Sequence, residues 1–134
     1  MSKQIFKNNL KNYLIKRYHI DRFIDDTHTL LVSSNMFNLY IRHSLPQDRK
    51  HSLWDDQTLI IANIGFTDQR VGNGTSLLHF LVTQSKVLNF KKIGIEMTND
   101  AAESFAKKHG FSQINEKNWV ISIEDLKVEH NGKN

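Results

Sequence analysis

One stretch limits this chain more than any other. Leu59-Ile60-Ile61-Ala62-Asn63-Ile64-Gly65-Phe66 is a nearly unbroken apolar run, β-branched and short enough to be a buried strand. Gln69-Arg70-Val71-Gly72-Asn73-Gly74-Thr75 follows, and then Leu77, Leu78, Leu81 and Leu88 recur at helical spacing. The order is strand, glycine-containing turn, helix. Such a turn gathers backbone N–H groups at a helix N-terminus, where the macrodipole also favours an anion. Gly72 and Gly74 lack a Cβ, so a phosphate can approach the backbone closely. The same spacing also suits an ordinary strand-to-helix loop.

Two familiar phosphate loops do not fit. A Walker loop requires a Lys after its second glycine, and none follows Gly72 or Gly74. A dinucleotide fingerprint requires a third glycine where Leu77 stands. The pattern that fits is Gln/Arg-x-x-Gly-x-Gly/Ala, filled by Gln69, Gly72 and Gly74.

The rest of the chain reads as a single domain over residues 1–126, followed by a polar tail at 127–134 that frays from Lys127. Phe6, Leu10, Tyr13 and Leu14 predict an amphipathic helix over 3–18, with Ser2 as its N-cap. Residues 19–27 suggest a short second helical turn. Thr29 to Val32 and Met36 to Ile41 form a strand hairpin around Ser33-Ser34-Asn35. A polar loop occupies 43–56 and reads as functional or disordered. Lys92 to Met97 is a strand, and a helical crossover makes it the parallel neighbour of the central strand. Asn99 caps a helix from Asp100 to His109, ended by Gly110. Phe111 to Ile114 and Trp119 to Ile123 are the last strands.

Composition excludes some chemistry. There is no cysteine, hence no disulfide framework and no thiolate. The histidines show no H-x-x-x-H spacing, so no metal site is expected. No apolar run is long enough to span a membrane, and the chain reads as cytoplasmic. The net charge of +4 comes from the first helix, where Lys3, Lys7, Lys11, Lys16 and Arg17 stand without an acid. That face suits nucleic acid or an acidic partner, or simply solvent.

A second block, Asn99-Asp-Ala-Ala102-Glu-Ser-Phe105-Ala106-Lys-Lys-His-Gly110-Phe111, completes the pattern. Together with the glycine turn, and in the same order, it resembles the GNAT-type N-acetyltransferases over roughly residues 57–124. The resemblance implies an α/β fold with a mixed, mostly antiparallel sheet of six to seven strands flanked by helices. It implies acetyl-CoA as cosubstrate and an amine acceptor, attacked directly without a covalent enzyme intermediate. It places pantetheine along the central strand, bonded to backbone groups of Ile64 and Phe66. The pyrophosphate then lies on the loop of Gln69, Arg70, Val71, Gly72, Asn73, Gly74 and Thr75. Asn99 would bond pantetheine or orient the acceptor. A homodimer stays open.

One departure bears on catalysis. Ala106 stands where the family usually has the tyrosine that protonates the leaving thiolate, and a methyl group cannot do so. Tyr40 is the substitute candidate, though a strand tyrosine equally suits the core, and Ser104 and His109 are poorly placed; the alternative is that the thiolate leaves without a dedicated acid. Glu96, beside the expected splay of the central strands, is the candidate base; it is equally a surface carboxylate beside Lys91 or Lys92. Asp55 and Asp56 suit a cationic substrate. Three readings stay open: an N-acetyltransferase, an acyl-CoA-binding module that lost catalysis with the tyrosine, and a basic adaptor for nucleic acid or an acidic partner.

Overall fold

The computed structural model of the chain describes residues 2–34, 37–43, 54–66, 73–96 and 99–131. The elements are α1 (Ser2–Arg17), β1 (Arg22–Asp25), β2 (Thr29–Ser33), β3 (Phe37–Arg42), β4 (Thr58–Phe66), α2 (Asn73–Leu88), β5 (Lys92–Ile95), α3 (Asp100–Lys108), β6 (Ser112–Asn115), β7 (Asn118–Ser122) and α4 (Ile123–Asn131). The strands form a seven-stranded sheet ordered β1-β2-β3-β4-β5-β7-β6. Its pairs are antiparallel except β4 with β5. That exception follows from α2, which carries the chain back to the end of the sheet where β4 began and so leaves β4 and β5 parallel.

One apolar layer holds the fold. Leu30 and Val32 of β2, Phe37, Leu39 and Ile41 of β3, Leu59 and Ile61 of β4, and Ile93 and Ile95 of β5 alternate toward the same side. Phe6, Leu10 and Leu14 of α1, Leu77, Leu78 and Leu81 of α2, and Leu126 of α4 cover them. Each such side chain is worth about 1.5–3 kcal/mol when fully buried. Tyr13 of α1 stacks on Phe80 of α2 with ring centroids 4.4 Å apart, and its hydroxyl meets Ser76 Oγ.

Two sequence expectations change. Residues 19–27 contain β1 rather than a helical turn. Asp21, Asp25 and Asp26 are weak helix formers, and the ladder to β2 outweighs local preference. Asp25 also forms an ion pair with Lys7, tying β1 to α1 and neutralising part of the basic helix. Lys11 lies over the Phe23 ring, and Arg17 over that of Tyr13. At the other end, Ile123 opens a helix instead of closing a strand. Ser122 Oγ accepts from the Asp125 N–H at 3.0 Å, and Leu126 is fully buried. The 126/127 boundary of the expected tail therefore falls inside α4.

Candidate active site

The parallel β4–β5 ladder is short. It runs from Thr58 opposite Lys92 to Ile61 opposite Ile95, and closes with the Glu96 N–H donating to the Ile61 carbonyl at 3.0 Å. β5 ends at Ile95, whereas β4 continues to Phe66. On its other edge β4 carries a bulge. Ile41 faces Ile61 and Tyr40 faces Asn63, so Ala62 is an extra residue. The bulge shifts the alternation by one. Leu59 and Ile61 point into the core, and beyond the bulge Ile64 does so while Asn63 is exposed. The backbone groups follow the same shift. Ile61 bonds toward β5, and after the bulge Ile64 and Phe66 inherit that direction, toward the side β5 has left open.

A cleft of about 200 Å³ lies at this opening. Ile64 and Gly65 of β4 form one wall, Gly74 of α2 the end, and Ala101, Ala102, Ser104, Phe105 and Lys108 of α3 the other wall. α3 meets it through the i, i+3, i+4, i+7 face of Ala101, Ser104, Phe105 and Lys108. A second cavity of about 30 Å³ adjoins it through Ile64 and Ala102, and reaches Ile61, Glu96 and Asn99. Gly74 is a close approach. A Cβ there would lie 3.1 Å from both Cδ1 and Cζ of the Phe105 ring. Thr75, next in the first turn of α2, has its Oγ1 3.1 Å from His109 Nε2.

The other side chains singled out in the sequence fall as follows. Gln69, Arg70, Val71 and Gly72 lie outside the described residues. Asn73 begins α2 and Phe66 ends β4. Asn99 caps α3, its Oδ1 accepting from the Ala102 N–H at 2.9 Å, and it also lines the small cavity. Glu96 is no partner of Lys91 or Lys92. It is largely buried, one carboxylate oxygen paired with Arg42 and the other accepting from Trp54 Nε1–H at 3.2 Å. Tyr40 shares the sheet face of Arg42, whose guanidinium carbon is 5.9 Å from its ring centre. Ala106 is fully buried in the core, so the residue in the tyrosine's place faces away from the cleft. Asp55 is exposed and already carries two partners. It accepts from Lys92 at 2.8 Å and from the Thr58 hydroxyl at 2.7 Å, and these bonds hold its carboxyl below the ordinary carboxylate value.

Sequence reasoning missed part of this set. Ser104 and Lys108 follow from the helical spacing of α3 once the cleft-facing side is known. Arg42 and Trp54 carry no local signal, since Arg42 is brought to Glu96 by the pairing of β3 with β4 and β4 with β5, and Trp54 by packing on β5. Trp54 reaches it by lying across Gly94, where a Cβ would sit 2.5 Å from Cζ3 and 2.8 Å from Cη2.

Among the described residues no helix is long and apolar enough to cross a membrane, and no group of three or more His, Asp or Glu is placed to hold a metal. The architecture, a splayed parallel pair inside a mixed sheet with a helix N-terminus at the opening, is the GNAT acetyltransferase fold. The chain superposes on a chain of the KacTA–DNA complex with a TM-score of 0.54 at 12% identity, over 96% of this chain and 86% of that one. It matches a putative GNAT-family acetyltransferase from Desulfovibrio desulfuricans with a TM-score of 0.52 at 12% identity, over 71% and 67%. It also matches a variant AtaT toxin bound to the C-terminus of the antitoxin AtaR and acetyl-CoA, with a TM-score of 0.50 at 14% identity over 75% and 70%. At these identities the likeness is one of fold. No protein-family profile and no curated protein sequence matches the chain.

Proposed function

We propose that this chain is an N-acetyltransferase that moves an acetyl group from acetyl-CoA to a primary amine by direct attack. The observation that carries the reading is the edge of β4 beyond Ile61, which has no strand partner toward β5 among the described residues and opens onto a cleft ending at Gly74 and the N-terminus of α2. An acyl-CoA suits both ends of such a site. The amide-rich pantetheine arm can bond to the β4 backbone at Ile64 and Phe66, as an added strand would. The pyrophosphate suits the backbone N–H groups of the turn from Gln69 through Arg70, Val71, Gly72, Asn73 and Gly74 to Thr75, where the α2 macrodipole adds attraction.

The chain's own groups divide the remaining work. A β4 backbone N–H at the opening polarises the thioester carbonyl, in the manner of an oxyanion site. Asn99 spends Oδ1 on its cap and turns its Nδ2 donors to pantetheine or the acceptor. Glu96 is held by Arg42 and Trp54, so it takes the amine's proton through a water on its remaining lone pairs. The leaving thiolate finds no acid at Ala106. Tyr40 is the replacement, with the Ser104 hydroxyl in the cleft as a second source of the proton. The fold relatives agree in one respect: the AtaT variant is bound to acetyl-CoA.

Turnover with a panel of polyamines, lysine peptides and aminoacyl esters tests the reading, scored by thiol release. The chain has no cysteine, so a thiol reagent reports only released CoA. Acetylation of at least one amine is expected. Binding of acetyl-CoA without acetylation of any amine would replace the reading by the acyl-CoA-binding module, which the buried Ala106 favours. Absence of acetyl-CoA binding would remove both and leave the basic adaptor. The paired Lys7 and the ring-covered Lys11 and Arg17 weaken that last reading.

A further inference from the structure

His109 is an unexpected residue at the end of α3. It is 1% exposed, yet it is polar and its ring points at the first turn of α2. Nε2 lies 3.1 Å from Thr75 Oγ1. Its ring also packs on Phe105, with centroids 4.7 Å apart at 58°, and Phe105 in turn closes over Gly74. The last turn of α3 therefore grips the first turn of α2 at Gly74, which lines the cleft, and at Thr75 next to it.

The chemistry of the Thr75–His109 contact depends on who gives the proton. A hydroxyl has one proton and two lone pairs. If Thr75 donates to Nε2, its oxygen presents only lone pairs to an anion, which repels. If Nε2–H donates to Oγ1, the hydroxyl proton remains available for a phosphate oxygen. The second arrangement is the one an anion at this helix terminus selects, because it adds a donor to the backbone N–H groups already there.

We propose that His109 is a positioning residue for the diphosphate of the acyl donor. In its Nε2–H form it donates to Thr75 Oγ1 and turns the Thr75 hydroxyl outward as a phosphate donor. The inference rests on the acetyl-CoA reading and adds to it a residue remote from the glycine turn.

The test measures dissociation constants for acetyl-CoA and for S-acetylpantetheine, which lacks the diphosphate. Thr75→Val removes the hydroxyl at nearly constant shape, and His109→Leu removes the ring donor. His109→Gln keeps an N–H donor near the place of Nε2. Thr75→Val and His109→Leu should each weaken acetyl-CoA by about three- to tenfold, the worth of one hydrogen bond. The double variant should be no weaker than either single one, and His109→Gln should recover most of the loss. S-acetylpantetheine should bind all of them alike. Nitrogen-15 NMR should show the Nε2–H tautomer of His109 in the acetyl-CoA complex.

Unchanged acetyl-CoA affinity in Thr75→Val overturns the inference, as does an equal loss for both ligands or an Nδ1–H tautomer in the complex. Should His109→Leu not fold, Thr75→Val and the NMR measurement decide alone. If acetyl-CoA fails to bind the parent protein, the acyl-donor reading falls and this inference with it. If the parent binds and the variants bind equally well, only this inference falls.

Discussion

His43 should make the protein acid-sensitive in a window where few other groups act. It is 6% exposed, at the end of β3 against the Phe6 ring of α1. Burial, and then the charges of Lys7 and Lys3, lower its pKa from 6.5 to about 4; Asp25 opposes them in part. Below 6.5 the unfolded chain takes up a proton that the folded chain refuses. Stability is therefore fully present above 6.5 and is lost as the pH falls toward 4. At about 1.4 kcal/mol per pH unit, that interval is worth about 3 kcal/mol, a large part of the stability of a domain this size. Asp55 does not interfere, because its lowered pKa makes its own contribution disappear only below the ordinary carboxylate value of 3.8. Urea unfolding of the parent and of His43→Leu, followed by tryptophan fluorescence from pH 7 to pH 4, measures the effect. The parent should lose about 3 kcal/mol more than the variant across the interval. Parallel curves for the two proteins would refute the reasoning, whatever their absolute stabilities.

Four further outcomes are expected. Gly74→Glu should abolish acetyl-CoA binding in calorimetry, since its Cβ meets the Phe105 ring and its carboxylate repels the pyrophosphate; unchanged affinity would move the phosphate site elsewhere. Ala106→Tyr, which on sequence grounds should restore the missing acid and raise the rate, should instead lower the melting temperature, because position 106 is fully buried and overpacking costs about 1–3 kcal/mol or more. Asn99→Ala should cost about 0.5–2 kcal/mol through the lost α3 cap, and Asn99→Asp should recover most of it in thermal unfolding. Gly94→Ala should lift the Trp54 indole from the sheet and shift its emission to the red; an unmoved spectrum would show that the ring does not depend on that close approach.

Much of the framework was legible in the residues. The apolar run of β4, the leucine spacing of α2, the Asn99 cap and Gly110 (φ 81°) mark elements through local rules of periodicity and dihedral preference. A helix between two strands implied that β4 and β5 are parallel, because a crossover connection permits little else. Those signals lie within a few residues of each other, and so the chain carries them openly.

The misreadings share one physical cause. β1 looked helical by composition because its strand character resides in the ladder to β2, a hairpin pairing set by the neighbouring segment rather than by the residues of β1 themselves. α4 looked in part like a tail because its first turn is held by contacts with distant parts of the fold, the buried Ile123 and Leu126 and the Ile123 N–H on the Lys91 carbonyl, beside the local Ser122 cap. The site shows the same division. Sequence alone selected Glu96, Tyr40 and Asn99 as polar groups near an expected opening. Only the folded sheet decided that Arg42 and Trp54 occupy the Glu96 carboxylate, that Ala106 faces the core while Ser104 faces the cleft, and that His109 reaches Thr75. Periodicity fixes which residues of an element share a face. Which face meets the cleft is set by how that element packs against strands far away in the chain, and the extra residue at Ala62, which turns the Ile64 backbone toward the cleft, exists only as a register between β3 and β4.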